Sequence, residues 1–255
     1  MDTQQASQGE SKKEILFPNG HRAQLVTPPA GATAADILNV LSIEQPKALI
    51  MIFGGAASLG EAPKSRLVQL FSGGIARAAA DTGALIIDGG TQAGVMQMIG
   101  EGRAVWGGHA PLIGVCPEAL VTWPDGPAGE DLVPLEPNHT HFVLTDGDHW
   151  GAETETMFAL ATALSEGVPS VSVLANGGLI ARDEVLHNVR QRREIIVIAD
   201  SGRLADELTA VMRRETEPAD AGMAEVLRDG RITLFEISQT PSALADLIAQ
   251  KIGTR

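Results

Sequence analysis

One cysteine, Cys116, is all the sequence contains, which excludes an intramolecular disulfide and fits a reducing compartment. Flanked by Val115 and Pro117, it reads as a small buried hydrophobe rather than a nucleophile. Basic residues are scarce: 19 Lys and Arg stand against 32 Asp and Glu, a formal charge of -13. That balance argues against wrapping nucleic acid or lying on an anionic membrane. Arg190, Arg192 and Arg193 do cluster, and read as the solvated end of a helix. No apolar run approaches the roughly 18 residues of a membrane span. The polar N-terminus lacks the hydrophobic stretch of a secretory signal. The expectation is a soluble, unexported, cytoplasmic protein without nucleic acid or membrane as partner.

Several catalytic signatures are missing as well. Gly55 and Gly60 have the first spacing of a Walker A loop, but Glu61 and Ala62 stand where Lys and Ser or Thr belong. No Gly-x-Gly-x-x-Gly follows a strand, so the dehydrogenase reading loses its main support. Ala56 to Gly60 mimics a nucleophile elbow without its first glycine, and the only late histidine, His187, falls in a helical pattern. Asp146 and Asp148 imitate an EF-hand opening, yet Trp150 and Met157 remove needed ligands. His139, His141 and His149 do not force a zinc site, so no metal is expected.

What is present is a regular alternation. Residues 1–13 are polar and read as a disordered tail, leaving 14–255 as a single domain. Ile15 to Phe17, Asn19-Gly20 and Arg22 to Val26 read as an N-terminal hairpin. A short helical pattern runs through Ile37, Leu38 and Leu41. Continuous apolar runs follow at 48–53, 84–87, 112–115, 142–144, 168–174, 195–198 and 232–235. Continuity implies burial on both faces, hence a mainly parallel sheet. Helical patterns at 64–80, 93–104, 152–165, 179–192, 203–213 and 241–252 supply the crossovers. The class is α/β, Rossmann-like and doubly wound. Residues 117–138, rich in proline and turn signals, are too long for an ordinary connector and read as functional or mobile.

Ligands of open parallel sheets bind beyond the carboxyl ends of the strands. Three such exits carry glycine: Gly54-Gly55-Ala56-Ala57-Ser58; Gly89-Gly90-Thr91-Gln92-Ala93-Gly94-Val95; and Asp146-Gly147-Asp148-His149-Trp150-Gly151-Ala152-Glu153. Glycine lets backbone amides approach an anion closely at a helix N-terminus, which points to phosphate. A fourth exit, Asp200 to Arg203, offers a rim contact or an ordinary helix cap.

These loops, with His139-Thr140-His141-Phe142 and Gly177-Gly178, resemble the N-terminal cytosolic domain of the TRPM (melastatin) channels. The chain is similar to a stand-alone prokaryotic member of the SLOG superfamily, LSDAT branch, over 47–213, about two thirds of its length. That resemblance implies binding of a nucleotide-derived ligand such as ADP-ribose or an NAD derivative. It places Gly54 and Gly55, with Ala56 and Ser58 beside them, under the ligand. Gly90, Thr91 and Gly94 would cradle phosphate, with Gly89 and Val95 also at the ligand. Asp146, Gly147, Asp148, Gly151, Ala152 and Glu153 would line the ribose or base side. The related LOG phosphoribohydrolases carry Pro-Gly-Gly-x-Gly-Thr-x-x-Glu; here Asp146-Gly147-Asp148 replaces its start and Ala152 its threonine. A non-catalytic sensor is therefore the first reading. The alternative is a LOG-like phosphoribohydrolase with Glu155 or Glu153 as carboxylate and Arg103 holding the phosphate. Related folds pair through their helices, so a homodimer is expected.

Overall fold

A computed structural model describes residues 11–55, 59–107 and 110–253. The Asn19-Gly20 turn, with Gly20 at φ +83°, folds β1 (Ser11–Leu16) against β2 (Arg22–Thr27). β1 thus opens at Ser11, inside the segment read as tail. Thr33 and Asp36 form a capping box that starts α1 (Ala34–Leu41). The alternation then runs β3 (Leu49–Gly54), α2 (Glu61–Leu70), a π-turn (Phe71–Ala76), α3 (Arg77–Thr82), β4 (Leu85–Asp88), α4 (Gly94–Trp106) and β5 (Leu112–Pro117). The connector holds two short paired strands, β6 (Val121–Thr122) and β7 (Val133–Pro134). Beyond it come β8 (His141–Thr145), α5 (Thr154–Leu164), β9 (Ser170–Ala175), α6 (Leu179–Arg190), β10 (Glu194–Ala199), α7 (Arg203–Met212), α8 (Ala221–Asp229), β11 (Ile232–Glu236) and α9 (Pro241–Lys251).

Nine strands form one sheet in the order β1-β2-β8-β5-β4-β3-β9-β10-β11, parallel throughout except for the β1–β2 hairpin. The central strands are apolar along their length because helices cover both faces. On one face Ile50, Ile52, Ile86 and Ile198 meet α2, α4 and α9 through Leu67, Ile99 and Ile248. On the other, Met51, Phe53, Ile87 and Val197 meet Leu41, Phe158, Val185 and Leu208 of α1, α5, α6 and α7. From β3 the chain winds outward through β4, β5 and β8, then returns over α5 to β9 on the opposite flank of β3. The strand order thus reverses between β3 and β9, the point at which open parallel sheets commonly bind ligands.

The helical pattern at 64–80 is interrupted by the π-turn. There Gly73 and Gly74 let α9 approach so closely that added Cβ atoms would lie 3.0 Å from Pro241 and 2.9 Å from Leu244. Among the described residues no helix is long and apolar enough to cross a membrane.

Gly54 is tighter still. Its φ is +128°, and a Cβ there would lie 1.9 Å from the Ala175 carbonyl oxygen, where β3 and β9 part. Gly54→Ala is expected to cost more than the ~1–2 kcal/mol of a left-handed alanine alone. Gly20→Ala, with nothing within 4 Å, should cost only that smaller amount. Denaturant midpoints of the two variants check the order.

Candidate functional site

Because the strands run parallel, their exits share one rim. At its centre Gly55 donates its amide to Ala175 O at 3.2 Å, joining the β3 and β9 exits. Next to it Asn176 (φ +59°) donates its side-chain amide to Ser201 O at 3.0 Å, while its backbone amide donates to Ser201 Oγ at 2.8 Å. The first amides of α7, Leu204 and Ala205, donate to the carbonyls of Gly177 and Asn176. The Ser201 segment is thus a brace for the β9 exit.

Five helices that begin at this rim have no side-chain cap. The N-cap of α5 is Glu153 and that of α7 Gly202; the other three start on small residues, Gly60 (α2), Ala93 (α4) and Gly178 (α6). By contrast α1, α8 and α9 are capped by Thr33, Asp220 and Thr240. The first amides of a helix have no intrahelical partner and carry its partial positive charge. At α4, those of Gly94, Val95 and Met96 meet no acceptor among the described residues. A cavity of about 500 Å³ opens beside them, lined by Gly55, Lys64, Ala93, Gly94, Gln97 and Glu101.

A buried histidine fixes the β4 exit. His139 is fully buried between two carboxylates, with Nε2 2.9 Å from Asp88 Oδ1 and Nδ1 2.7 Å from Glu136 Oε2. Burial opposes its charge, but Asp88 and Glu136 overcome that and push the pKa up to about 9. Asp88 Oδ1 also accepts the Gly90 amide at 2.7 Å, and Gly90 O accepts the Glu136 amide at 2.9 Å. Gln92 donates to Pro134 O at 2.7 Å, and Thr91 bridges Leu135. Residues 117–138 therefore turn back over the glycine loop and bind it down.

The other histidines go elsewhere. His141 is half-buried, its pKa lowered to about 4 by burial and by Lys12 and Arg103; His149 is exposed beside Asp148. Among the described residues no group of three or more His, Cys, Asp or Glu is placed to hold a metal ion.

The residues singled out in the sequence divide among several surroundings. Gly55 and Gly94 share the cavity. Val95 is buried in the α4 packing, and Gly89 lies against Met96. Gly90 and Thr91 lie under the connector, with the Gly90 amide spent on Asp88. Asp146, Gly147 and Ala152 line a different cleft of about 600 Å³ toward β2, with Pro28, Glu118 and Thr156. Asp148 and Glu155 are exposed. Gly151 faces Ile180 of α6. Arg103 sits in the last turn of α4, donating to Ala110 O and Asn138 O, nine residues or about 14 Å of helix rise from Gly94. Ala56 and Ser58 lie outside the described residues. Cys116 is fully buried, and burial, with the charges of Glu153 and Asp88, pushes its thiol far above the ordinary range.

Two buried acids complete the picture. Glu153 accepts the Gly151 amide at 2.8 Å, and burial raises its pKa. Glu184 of α6, which sequence reasoning missed, is 8% exposed. Burial, then the charges of Glu153, Asp88 and Asp183, push it to about 8. Glu136 was missed too; its one signal was a position three before His139.

The raised values of His139 and Glu184 give stability the same pH trend, and the lowered value of His141 acts the other way only below about 6.5. His139 stabilises fully below its unfolded pKa of about 6.5 and ceases to do so as pH rises through about 9. Glu184 loses stability between about 4.5 and about 8, as the unfolded state ionises first. The melting temperature should fall from pH 6 to pH 9. Glu184→Gln should flatten the fall, and His139→Gln should destabilise more at pH 6 than at pH 9. Thermal unfolding at several pH values is the measurement.

The family profile described as SLOG in TRPM, prokaryote, matches residues 47–246. Transient receptor potential cation channel subfamily M member 1 of Mus musculus is 30% identical over 199 residues, covering 66% of this chain and 12% of the channel. Subfamily M member 2 of Mus musculus is 28% identical over 207 residues, with 66% and 14% covered. Subfamily M member-like 2 of Nematostella vectensis is 31% identical over 204 residues, with 64% and 13% covered. The chain therefore spans only 12–14% of the length of these relatives. With the profile covering most of its residues, this chain belongs to the family described as SLOG in TRPM, prokaryote.

Proposed function

We propose that this protein is a cytoplasmic sensor or carrier of a nucleotide-derived, phosphate-bearing ligand of the ADP-ribose or NAD-derivative class. The observation that carries this reading is the pair of N-termini, of α2 and α4, neither capped by a side chain, that flank the cavity beside Gly55 at the carboxyl rim. A phosphate seated there accepts from the Gly94, Val95 and Met96 amides and meets Lys64, which makes no ion pair among the described residues. The ribose or base extends toward Gly151 and Glu153, where carboxylates accept hydroxyl or amine protons rather than repel a second phosphate. Cytoplasmic residence suits the free, buried Cys116. A homodimer is the remaining expectation, which light scattering reads directly.

ADP-ribose, NAD and AMP are each to be titrated while the melting temperature is followed. At least one should raise it progressively with concentration. No stabilisation by any, far above micromolar concentration, would sink the reading. Lys64→Ala should weaken the effective ligand about tenfold, the size of one charged hydrogen bond, without changing the ligand-free melting temperature.

A phosphoribohydrolase is the second reading, favoured by Glu184. With a pKa near 8 it holds a proton at neutral pH, as a general acid must, and Glu153 supplies a neighbouring carboxylate. Release of adenine from AMP, abolished by Glu184→Gln and by Glu153→Gln, would select this reading over the sensor.

A further inference from the structure

The opposite rim, at the amino ends of β9 and β10, holds a second concavity of about 1050 Å³. Arg193 lies within it. Unlike the solvated helix end its sequence suggested, it is only 6% exposed. Its guanidinium donates to Ser170 Oγ at 3.1 Å, Gln191 Oε1 at 2.9 Å and Ser165 Oγ at 3.3 Å, all neutral acceptors. A guanidinium carries five N–H donors, so two remain without an acceptor among the described residues. No carboxylate pairs with it there either. Burial depresses its pKa to about 10, well inside the charged range at neutral pH.

Buried charges are ordinarily paired, and several arginines elsewhere in the chain are paired even on the surface. Arg22, Arg77, Arg182, Arg190, Arg213 and Arg228 each have a carboxylate partner. In this cleft, by contrast, Arg192 and Arg231 join Arg193, and neither makes an ion pair among the described residues. The fourth cation, Lys251, is neutralised by Glu194 at 2.6 Å. Glu166 is the one remaining carboxylate at the edge. A local positive excess thus persists in a chain of net charge -13. The C-termini of α5 and α6 lie here, and their carbonyl ends favour cations. That accounts for basic residues at this rim. It leaves the two remaining N–H groups of Arg193 unsatisfied, because all three of its bonds go to side-chain oxygens.

We propose that this cleft is a second ligand site, for a phosphate-bearing anion, with Arg193 as its floor and Arg192 and Arg231 as its walls. The two remaining guanidinium N–H groups suit two oxygens of one phosphoryl group, and the wall arginines suit a further charge, as in a diphosphate. This site is separate from the cavity at the carboxyl rim and does not depend on what that cavity binds.

Pyrophosphate and orthophosphate, titrated calorimetrically into the whole chain, test the assignment. Pyrophosphate should bind more tightly than orthophosphate, and its binding should weaken as salt rises. The double variant Arg192→Ala, Arg231→Ala should weaken it at least about tenfold with no change in melting temperature. Arg193→Lys, which keeps the charge but loses the planar fork, should weaken it about tenfold as well; its melting temperature reports whether the fold is kept. Lys64→Ala should leave the arginine-dependent part of the pyrophosphate binding unchanged, any loss being confined to a separate binding event at the carboxyl rim. If Lys64→Ala abolishes pyrophosphate binding and the arginine variants do not, the anion lies at the carboxyl rim and the proposal fails. It fails equally if pyrophosphate acts no differently from chloride at matched ionic strength. It fails, too, if the double variant only converts a dimer to a monomer, since the arginines would then face a second copy's carboxylates.

Discussion

An imidazolium clasped by two carboxylates in the protein interior governs the arrangement of the carboxyl rim. Asp88 ends a central strand, Glu136 belongs to the long connector, and His139 precedes the next strand. Alone, the buried imidazolium would be an uncompensated charge; Asp88 and Glu136 compensate it, each accepting from one ring nitrogen. The same atoms hold backbone in place, since Asp88 takes the Gly90 amide while the Glu136 amide reaches Gly90 O. Gly100 in α4 permits this: a Cβ there would fall 1.9 Å from the Glu136 carboxylate. Helix, connector and glycine loop are thereby placed relative to one another by one charged cluster.

That placement divides the rim electrostatically. Uncapped amides and Lys64 face the cavity between α2 and α4, whereas Glu153, Glu184 and Asp88 gather beneath the α5 and α6 side. A bipolar molecule, anionic at one end and rich in hydroxyl or amine donors at the other, matches such a division better than a compact anion does. Brace interactions between Asn176 and Ser201 keep the acidic side in place independently of the histidine cluster.

Most of the architecture was legible because burial on both faces writes strands as unbroken apolar runs; Ile50 to Phe53 and Ile195 to Ile198 are examples. The π-turn was not, since its Gly73-Gly74 pair keeps a helical pattern and acts only through contact with α9. Gly55 and Gly94 were readable as rim residues from their positions after strands. The fate of Gly90 was hidden, because its amide is consumed by a side chain two residues earlier. Buried ionic groups were least visible of all. In sequence Glu136, Glu184 and Arg193 look like surface charges, and only tertiary packing distinguishes them.

The hairpin at the sheet margin has its own consequence. β1 pairs on one side only and turns Lys12, Lys13 and Glu14 outward, while Lys12 Nζ donates to Val40 O. A margin so charged disfavours a neighbouring molecule adding its own strand there. Antiparallel closure of a parallel sheet thus serves as a guard against intermolecular β-aggregation, leaving self-association to surfaces away from that margin.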